Sequence, residues 1–193
     1  MKTIYLTLLF IASSFYAFSQ VQVGDKAPDF ELLNTDGKTV SLSDFKKQDG
    51  VIVIFTCNHC PYAKFYEKRI IDLDKKYKSQ KYPVVAINSN DSTNYKTDGY
   101  SFMVEKNYKF PYLLDNKGVY AKYGATKTPH VFLLKKTGKD FEIAYIGSID
   151  DSPQDANEVK EKYLELAIEA IKNGEKPKYA STKAIGCGIK PFK

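Results

Sequence analysis

Two cysteines, Cys57 and Cys60, stand three positions apart and are the residues best suited to chemistry. An apolar, mostly β-branched run over residues 51–56 leads into Cys57, and a helical pattern begins at Cys60. This order predicts a buried strand that passes directly into a helix, where two thiols can join without backbone movement. Free amides and the helix dipole there favour thiolate on Cys57, and comparable sites lower a cysteine pKa to roughly 3.5–7.5. The sequence therefore predicts a dithiol/disulfide switch formed by Cys57 and Cys60.

The alternative for these two residues is a structural cysteine pair or half of a zinc site. Such a site takes four ligands, usually a second Cys-x-x-Cys or a histidine pair. The remaining sulfur and imidazole donors farther along the chain, Cys187 and His130, are single and widely separated. The pattern favours redox chemistry, and neither a metal nor another cofactor is predicted.

Two histidines and a third cysteine each leave two interpretations open. His59, just before the second cysteine, either tunes the redox potential by stabilising a thiolate or is an exposed, solvated residue. His130 is expected to be a packed strand residue rather than a ligand. Cys187, between Gly186 and Gly188, is either a third redox thiol that reaches the dithiol when the tail folds back or a buried or mixed-disulfide cysteine.

The ends of the chain predict its organisation and location. Residues 1–19 have the basic start, short apolar run and small residues of a secretory signal peptide, which is too short to span a bilayer. We expect one domain over residues 20–174 and a tail over 175–193, in a protein that is exported to the periplasm or secreted. The net charge of +6 comes almost wholly from lysine. This composition favours solubility over nucleic-acid binding, and the oligomeric state stays open.

The middle of the chain alternates strand and helix patterns. A strand over 51–56, a helix to about Lys78 and a strand over 82–87 predict a right-handed βαβ unit. Two short strands around residues 34–37 predict a hairpin before it, and strands near 131–135 and 142–146 a second hairpin after it. Ser152 followed by Pro153 predicts the start of the last helix, and Gly174 its end.

This order of elements resembles the thioredoxin fold, an α/β fold with a central mixed sheet flanked by helices, here with an N-terminal β-hairpin extension. Several short segments narrow the resemblance to the peroxiredoxin-like AhpC/TSA (redoxin) family. They are residues 24–30, 57–62, 88–91, 110–112, 123–125, 128–129 and 186–190. The resemblance implies a thiol–disulfide oxidoreductase that exchanges disulfides with protein or small-thiol partners. Cys57 would attack, Cys60 would resolve, Pro129 would be a cis-proline facing them, and the Thr128 backbone would dock an extended substrate strand.

The chain departs from true peroxiredoxins at the residues that handle peroxide. Their reactive cysteine aligns with Cys60, but Cys57 stands where they have threonine, and no arginine follows Arg69. Without that hydroxyl and guanidinium, little remains to stabilise the departing oxygen. A thiol peroxidase is therefore the alternative function. A copper-handling protein that uses Cys57, Cys60 and a histidine is a more distant one.

Overall fold

The computed structural model describes residues 20–192, so the signal peptide predicted over residues 1–19 lies outside the described part. Thirteen helices and strands, apart from short 3₁₀ turns, follow one another within the described residues. They are β1 (Glu31–Asn34), β2 (Thr39–Ser41), β3 (Gly50–Thr56), α1 (Pro61–Tyr77), β4 (Val84–Asn88), α2 (Tyr100–Glu105), β5 (Tyr112–Leu114), α3 (Val119–Tyr123), β6 (Lys127–Thr128), β7 (His130–Thr137), β8 (Asp140–Gly147), α4 (Tyr163–Lys172) and β9 (Cys187–Gly188).

Seven of the strands form one mixed sheet in the order β2-β1-β5-β4-β3-β7-β8. β3 runs parallel to β4, and β4 parallel to β5, while the hairpins at the two edges pair antiparallel. Strands β6 and β9 form a separate antiparallel pair. The predicted architecture, a central mixed sheet with helices and an N-terminal hairpin, is confirmed, and β3 lies inside the sheet between β4 and β7.

Strand β3 is buried on both faces, which explains its continuous apolar sequence. Ile52 and Ile54 point to one hydrophobic cluster, and Val51, Val53 and Phe55 point to the other. The first cluster includes apolar residues of α1 and α4, and the second includes residues of α3 and the N-terminal hairpin. The end of β3 that carries Cys57 is therefore held by packing from both sides.

Helix α1 is tied to the chain that follows β8 by a buried ion pair. Arg69 Nη1 donates to both carboxylate oxygens of Asp150, at 2.8 and 2.7 Å, and to the Ser152 carbonyl at 2.8 Å. Tyr66 also donates its hydroxyl to Asp150 at 2.8 Å, and the guanidinium lies over the Tyr66 ring. The only arginine of the chain thus joins two elements of the fold through its two terminal nitrogens, while its buried Nε has no hydrogen-bond partner among the described residues.

The last helix begins ten residues later than the sequence predicts, at Tyr163 instead of Pro153. The Ser152 and Pro153 carbonyls accept hydrogen bonds from Arg69, and the Asp151 carboxylate accepts from the amides of residues 160 and 161. These side-chain contacts replace the helical hydrogen bonds of the segment. The predicted start is therefore wrong because tertiary partners hold residues 151–161 as an irregular loop.

The tail runs back along the domain after α4. The Ile146 amide donates to Ala180, the Thr182 amide donates back to Ile146, and the Ser148 hydroxyl donates to the Lys183 carbonyl. Beyond this attachment the chain crosses the sheet end that holds Cys57 and pairs as β9 with β6. Over residues 20–192, no helix combines the length and apolarity required to cross a bilayer.

Candidate functional site

Cys57 follows the last residue of β3, and Cys60 is the N-cap residue of α1. Cys60 has an extended backbone (φ −64°, ψ 127°), and Pro61 occupies the first helical turn, where its missing N–H is not needed. The predicted passage from a buried strand into a helix is confirmed. Both sulfurs are sheltered, since Cys57 is 5% exposed and Cys60 is fully buried.

The disulfide in the structure differs from the predicted one. It joins Cys60 to Cys187, with 6.0 Å between their Cα atoms, and Cys57 is a free, buried cysteine. The pairing of β9 with β6 sets Cys187 opposite Thr128, beside Cys60. The predicted Cys57–Cys60 disulfide is therefore absent from this structure. Of the interpretations left open for Cys187, the structure agrees with the one in which the tail folds back onto the dithiol.

Thr128, which precedes Pro129, contacts both cysteines of the pair. The peptide bond between Thr128 and Pro129 is cis, as the resemblance implied. The Cys57 thiol donates to the Thr128 hydroxyl at 3.3 Å. Cys60 Sγ lies 3.3 Å from the Thr128 carbonyl oxygen, but it has no proton to donate while it is bonded to Cys187. One residue thus contacts both sulfurs, through its side chain and through its backbone.

Burial raises the pKa of the Cys57 thiol from 9.0 to about 11. The Thr128 hydroxyl and nearby backbone amides favour the thiolate, whereas the negative charge of Asp98 opposes it. While Cys187 is bonded to Cys60, the expected preference of Cys57 for the thiolate is wrong. The loss of solvation destabilises the thiolate more than the amides at the start of α1 stabilise it.

A buried carboxylate, Asp98, organises the loop between the two cysteines. It accepts hydrogen bonds from the Asn58 and His59 amides at 2.7 and 3.0 Å and from the Asn90 side chain at 2.9 Å. His59 Nδ1 lies 2.5 Å from Asp98 Oδ2, and the His59 ring stacks on Tyr95 with centroids 3.7 Å apart. The sequence does not predict this role of Asp98, because a single aspartate in a polar loop carries no signal that it contacts a distant motif.

The structure decides between the two interpretations of His59 only in part. Its side chain is 14% exposed and is held between Asp98 and Tyr95, so it is not the solvated residue of the second interpretation. A role in tuning the redox potential stays a proposal. His130 is a buried residue of β7 whose ring packs on Phe132, and burial lowers its pKa to about 4. The expectation of a packed strand histidine agrees with this placement.

Three residues near the motif are spaced closely enough to hold a metal ion. The potential ligand atoms of Cys57, His59 and Asp98 lie within 4.8 Å of one another in the described chain. However, Asp98 already accepts hydrogen bonds from two backbone amides and from Asn90, and the Cys57 proton is directed at Thr128. These hydrogen bonds account for the arrangement, so the donors are engaged with one another and do not fit a metal centre.

Comparisons with known proteins agree with this geometry. The sequence pattern of the AhpC/TSA family matches residues 23–140. The chain is 32% identical over 124 residues to the thiol-disulfide oxidoreductase ResA of Bacillus subtilis (strain 168), an alignment that covers 64% of this chain and 67% of that protein.

Two solved structures are similar to the chain over different shares of its length. A hypothetical protein from Sinorhizobium meliloti 1021 superimposes with a TM-score of 0.82 and 29% identity, over 90% of this chain and 97% of the other. A putative thiol:disulfide interchange protein DsbE from Chlorobium tepidum gives a TM-score of 0.52 and 30% identity, over 64% and 85% of the two chains. The thioredoxin-like fold is thereby confirmed.

Proposed function

The chain belongs to the AhpC/TSA family, and from this premise we propose that it is an exported thiol–disulfide oxidoreductase acting through Cys57 and Cys60. One observation carries the proposal: two cysteines at a strand-to-helix turn both contact Thr128, which precedes a cis-proline. Thiols held in this way can alternate between a joined and a separate state with little backbone movement.

The reaction begins with the reduced pair. Cys57 loses its proton, and its sulfur attacks one sulfur of a partner disulfide, so that the other partner sulfur leaves with the electron pair. Cys60 then attacks the mixed disulfide at Cys57, forms the Cys57–Cys60 bond and releases the second partner thiol. Two electrons have moved from the enzyme to the partner, and the reverse sequence oxidises a dithiol. When the pair is reduced again, the Cys60 thiol carries a proton, which it can donate to the Thr128 carbonyl.

His59 is proposed to tune the redox potential of the pair. Its ring is fixed by Asp98 on one side and by Tyr95 on the other, next to the two cysteines. A protonated imidazole there would stabilise a thiolate and hence the reduced form, which makes the couple more oxidising. Asp98 acts as a positioning residue, because it contacts the loop and not the reacting sulfurs.

The partners of this chemistry are proposed to be proteins or small molecules that carry a thiol or a disulfide. The Thr128 backbone, which pairs with β9 in the structure, is proposed as the strand edge at which an extended peptide pairs once β9 has left. The similarity to the thiol-disulfide oxidoreductase ResA supports an exchange reaction. The signal-peptide pattern of residues 1–19 supports export to a compartment where disulfides persist.

A thiol peroxidase agrees less well with the site. The cysteine that matches the peroxidatic position, Cys60, is fully buried and bonded to Cys187. Arg69 is committed to Asp150 and to the carbonyls of the loop after β8. No guanidinium in the described chain is left to stabilise a departing peroxide oxygen, so disulfide exchange is the function that the geometry favours.

The test uses two variants that each retain one thiol. Cys57 alone remains in Cys60→Ser/Cys187→Ser, and Cys187 alone remains in Cys57→Ser/Cys60→Ser. After incubation with an oxidised protein substrate, we expect the first variant to accumulate covalent adducts that dithiothreitol cleaves, because the resolving thiol is missing. The second variant is the matched control. Adducts in the control and none in the Cys57 variant would contradict the assignment of Cys57 as the attacking residue.

A further inference from the structure

The tail segment 186–190 lies where an extended substrate would dock. Its strand β9 pairs antiparallel with β6, with Cys187 opposite Thr128 and Gly188 opposite Lys127. The Ile189 amide donates to the Thr126 carbonyl at 3.2 Å. The edge of β6 next to the cis-proline is therefore already paired with a strand of the same chain.

The same segment is held from its other side by the loop after β4. The Lys190 amide donates to the Asn90 side-chain oxygen at 2.7 Å, and the Asp91 amide donates to the Lys190 carbonyl at 2.7 Å. Asn90 also donates to Asp98, so the tail contacts the network that positions the Cys57–Cys60 loop. These hydrogen bonds hold the tail segment in a defined position between β6 and the loop after β4.

Gly186 fits this position only because it has no side chain. A Cβ atom at Gly186 would lie 2.1 Å from the Thr128 carbonyl oxygen and 2.7 Å from its carbonyl carbon. At Gly188, one residue beyond Cys187, an added Cβ would meet nothing within 4 Å. The close approach of the tail to Thr128 thus requires glycine at position 186 and does not require it at position 188.

Resting on the proposed function, we propose that segment 186–190 is an internal substrate strand that closes the site, and that Cys57 opens it by displacing Cys187 from Cys60. Cys57 gives up its proton to solvent, and its sulfur bonds to Cys60 Sγ while the Cys60–Cys187 bond breaks. The electron pair of that bond leaves with the Cys187 sulfur, which takes up a proton. One disulfide is lost and one is formed, so the step needs no outside oxidant or reductant.

The exchange connects a closed and an open form of the oxidised enzyme. In the closed form Cys187 is bonded and Cys57 is sheltered beneath the tail. In the open form the Cys57–Cys60 disulfide faces an empty β6 edge, to which a partner pairs in the place of β9. A partner segment and the tail therefore compete for one edge, and Cys187 is a third redox residue of the enzyme.

The position of the disulfide tests this proposal directly. The full chain and its Gly186→Ala and Gly188→Ala variants are oxidised to one disulfide, quenched with acid, denatured and labelled with N-ethylmaleimide. Peptide mapping then locates the remaining thiol. We expect the label mainly on Cys57 in the unmodified chain and in Gly188→Ala, because the tail stays docked. In Gly186→Ala we expect the ratio of Cys57 to Cys187 label to fall by on the order of tenfold to a hundredfold, because the tail cannot approach Thr128. An unchanged ratio in Gly186→Ala would overturn the proposal.

A second measurement needs no substitution. Amide hydrogen exchange is followed for Asp91, Ile189 and Lys190 before and after the disulfide is reduced. We expect exchange at these amides to accelerate by about tenfold or more on reduction, while β4 amides stay protected. Equal protection in both states would mean that the tail stays docked without its disulfide, and would also overturn the proposal. A failure of the proposed function is separate, since it appears as missing Cys57 adducts in the single-thiol variant.

Discussion

Part of the destabilisation of the protein at alkaline pH should come from Cys57. The perturbation is a change from pH 7 to pH 10 in two proteins that differ only at this residue. One is Cys60→Ser/Cys187→Ser, which keeps Cys57 as its sole thiol, and the other has Cys57→Ser in addition. Without a second thiol, disulfides cannot rearrange within the chain during unfolding.

The pKa of about 11, against an ordinary value of 9.0, belongs to the chain whose tail is bonded over Cys57, so the magnitude worked from it is an upper limit for variants without that disulfide. Burial favours the neutral thiol, so the stabilisation is complete below pH 9 and is lost as pH rises towards 11. The full linkage is about 3 kcal/mol, and at pH 10 about 1.4 kcal/mol of it is lost relative to pH 7. The other titrating groups, including the buried tyrosines, are the same in both proteins and cancel in the difference.

Urea unfolding at pH 7 and pH 10 measures this difference. The free energy of unfolding of the Cys57 protein should fall relative to the cysteine-free protein over this range, by at most about 1.4 kcal/mol if the tail stays over Cys57 without its disulfide. A difference that stays constant would mean that Cys57 is not desolvated as described. A difference that grows in favour of the Cys57 protein would mean a lowered pKa, and a thiolate stabilised by the start of α1.

Two further substitutions probe the surroundings of the site. Arg69→Met should destabilise the protein by about 3–5 kcal/mol in urea unfolding, because Asp150 is left buried without its cation. Adding Asp150→Asn should recover part of that loss, and no recovery would contradict the ion-pair explanation. In the sole-thiol Cys57 protein, Asp98→Asn should lower the Cys57 pKa and speed its alkylation by iodoacetamide at pH 8, because a negative charge is removed. The same change should reduce stability by about 1–3 kcal/mol, because a buried acceptor is replaced by a group that also donates. Slower alkylation would refute the electrostatic role of Asp98.

The central part of the site follows from local sequence. The apolar run before Cys57 can only be a strand buried on both faces, and Pro61 is placed where a helix tolerates it. The glycine after α3, Gly124, ends that helix in a left-handed conformation (φ 67°), as its position predicts. These features depend on residues that are neighbours in the chain.

The features that the sequence does not predict depend on contacts across long separations. The disulfide between Cys60 and Cys187 spans 127 residues, and cysteine spacing alone does not choose between the two possible partners of Cys60. Asp98 reaches the motif from 39 residues away. The Arg69 side chain overrides the helix signal at Ser152 by taking its carbonyl. In each case partners that are distant in the sequence, and not local patterns, determine the result.

The attachment of the tail at Ala180–Lys183 limits what a released Cys187 can do. Hydrogen bonds to Ile146 and Ser148 hold this part of the tail to the end of β8 independently of the disulfide. Only three residues lie between Lys183 and Cys187, so the two are joined by four Cα–Cα steps, a flexible linker of about 11 Å. Its thiol therefore stays near Cys60 at an effective concentration in the millimolar range. A small thiol in solution would have to match that concentration to keep the site open, whereas a docked protein chain would exclude the returning strand by occupying its place.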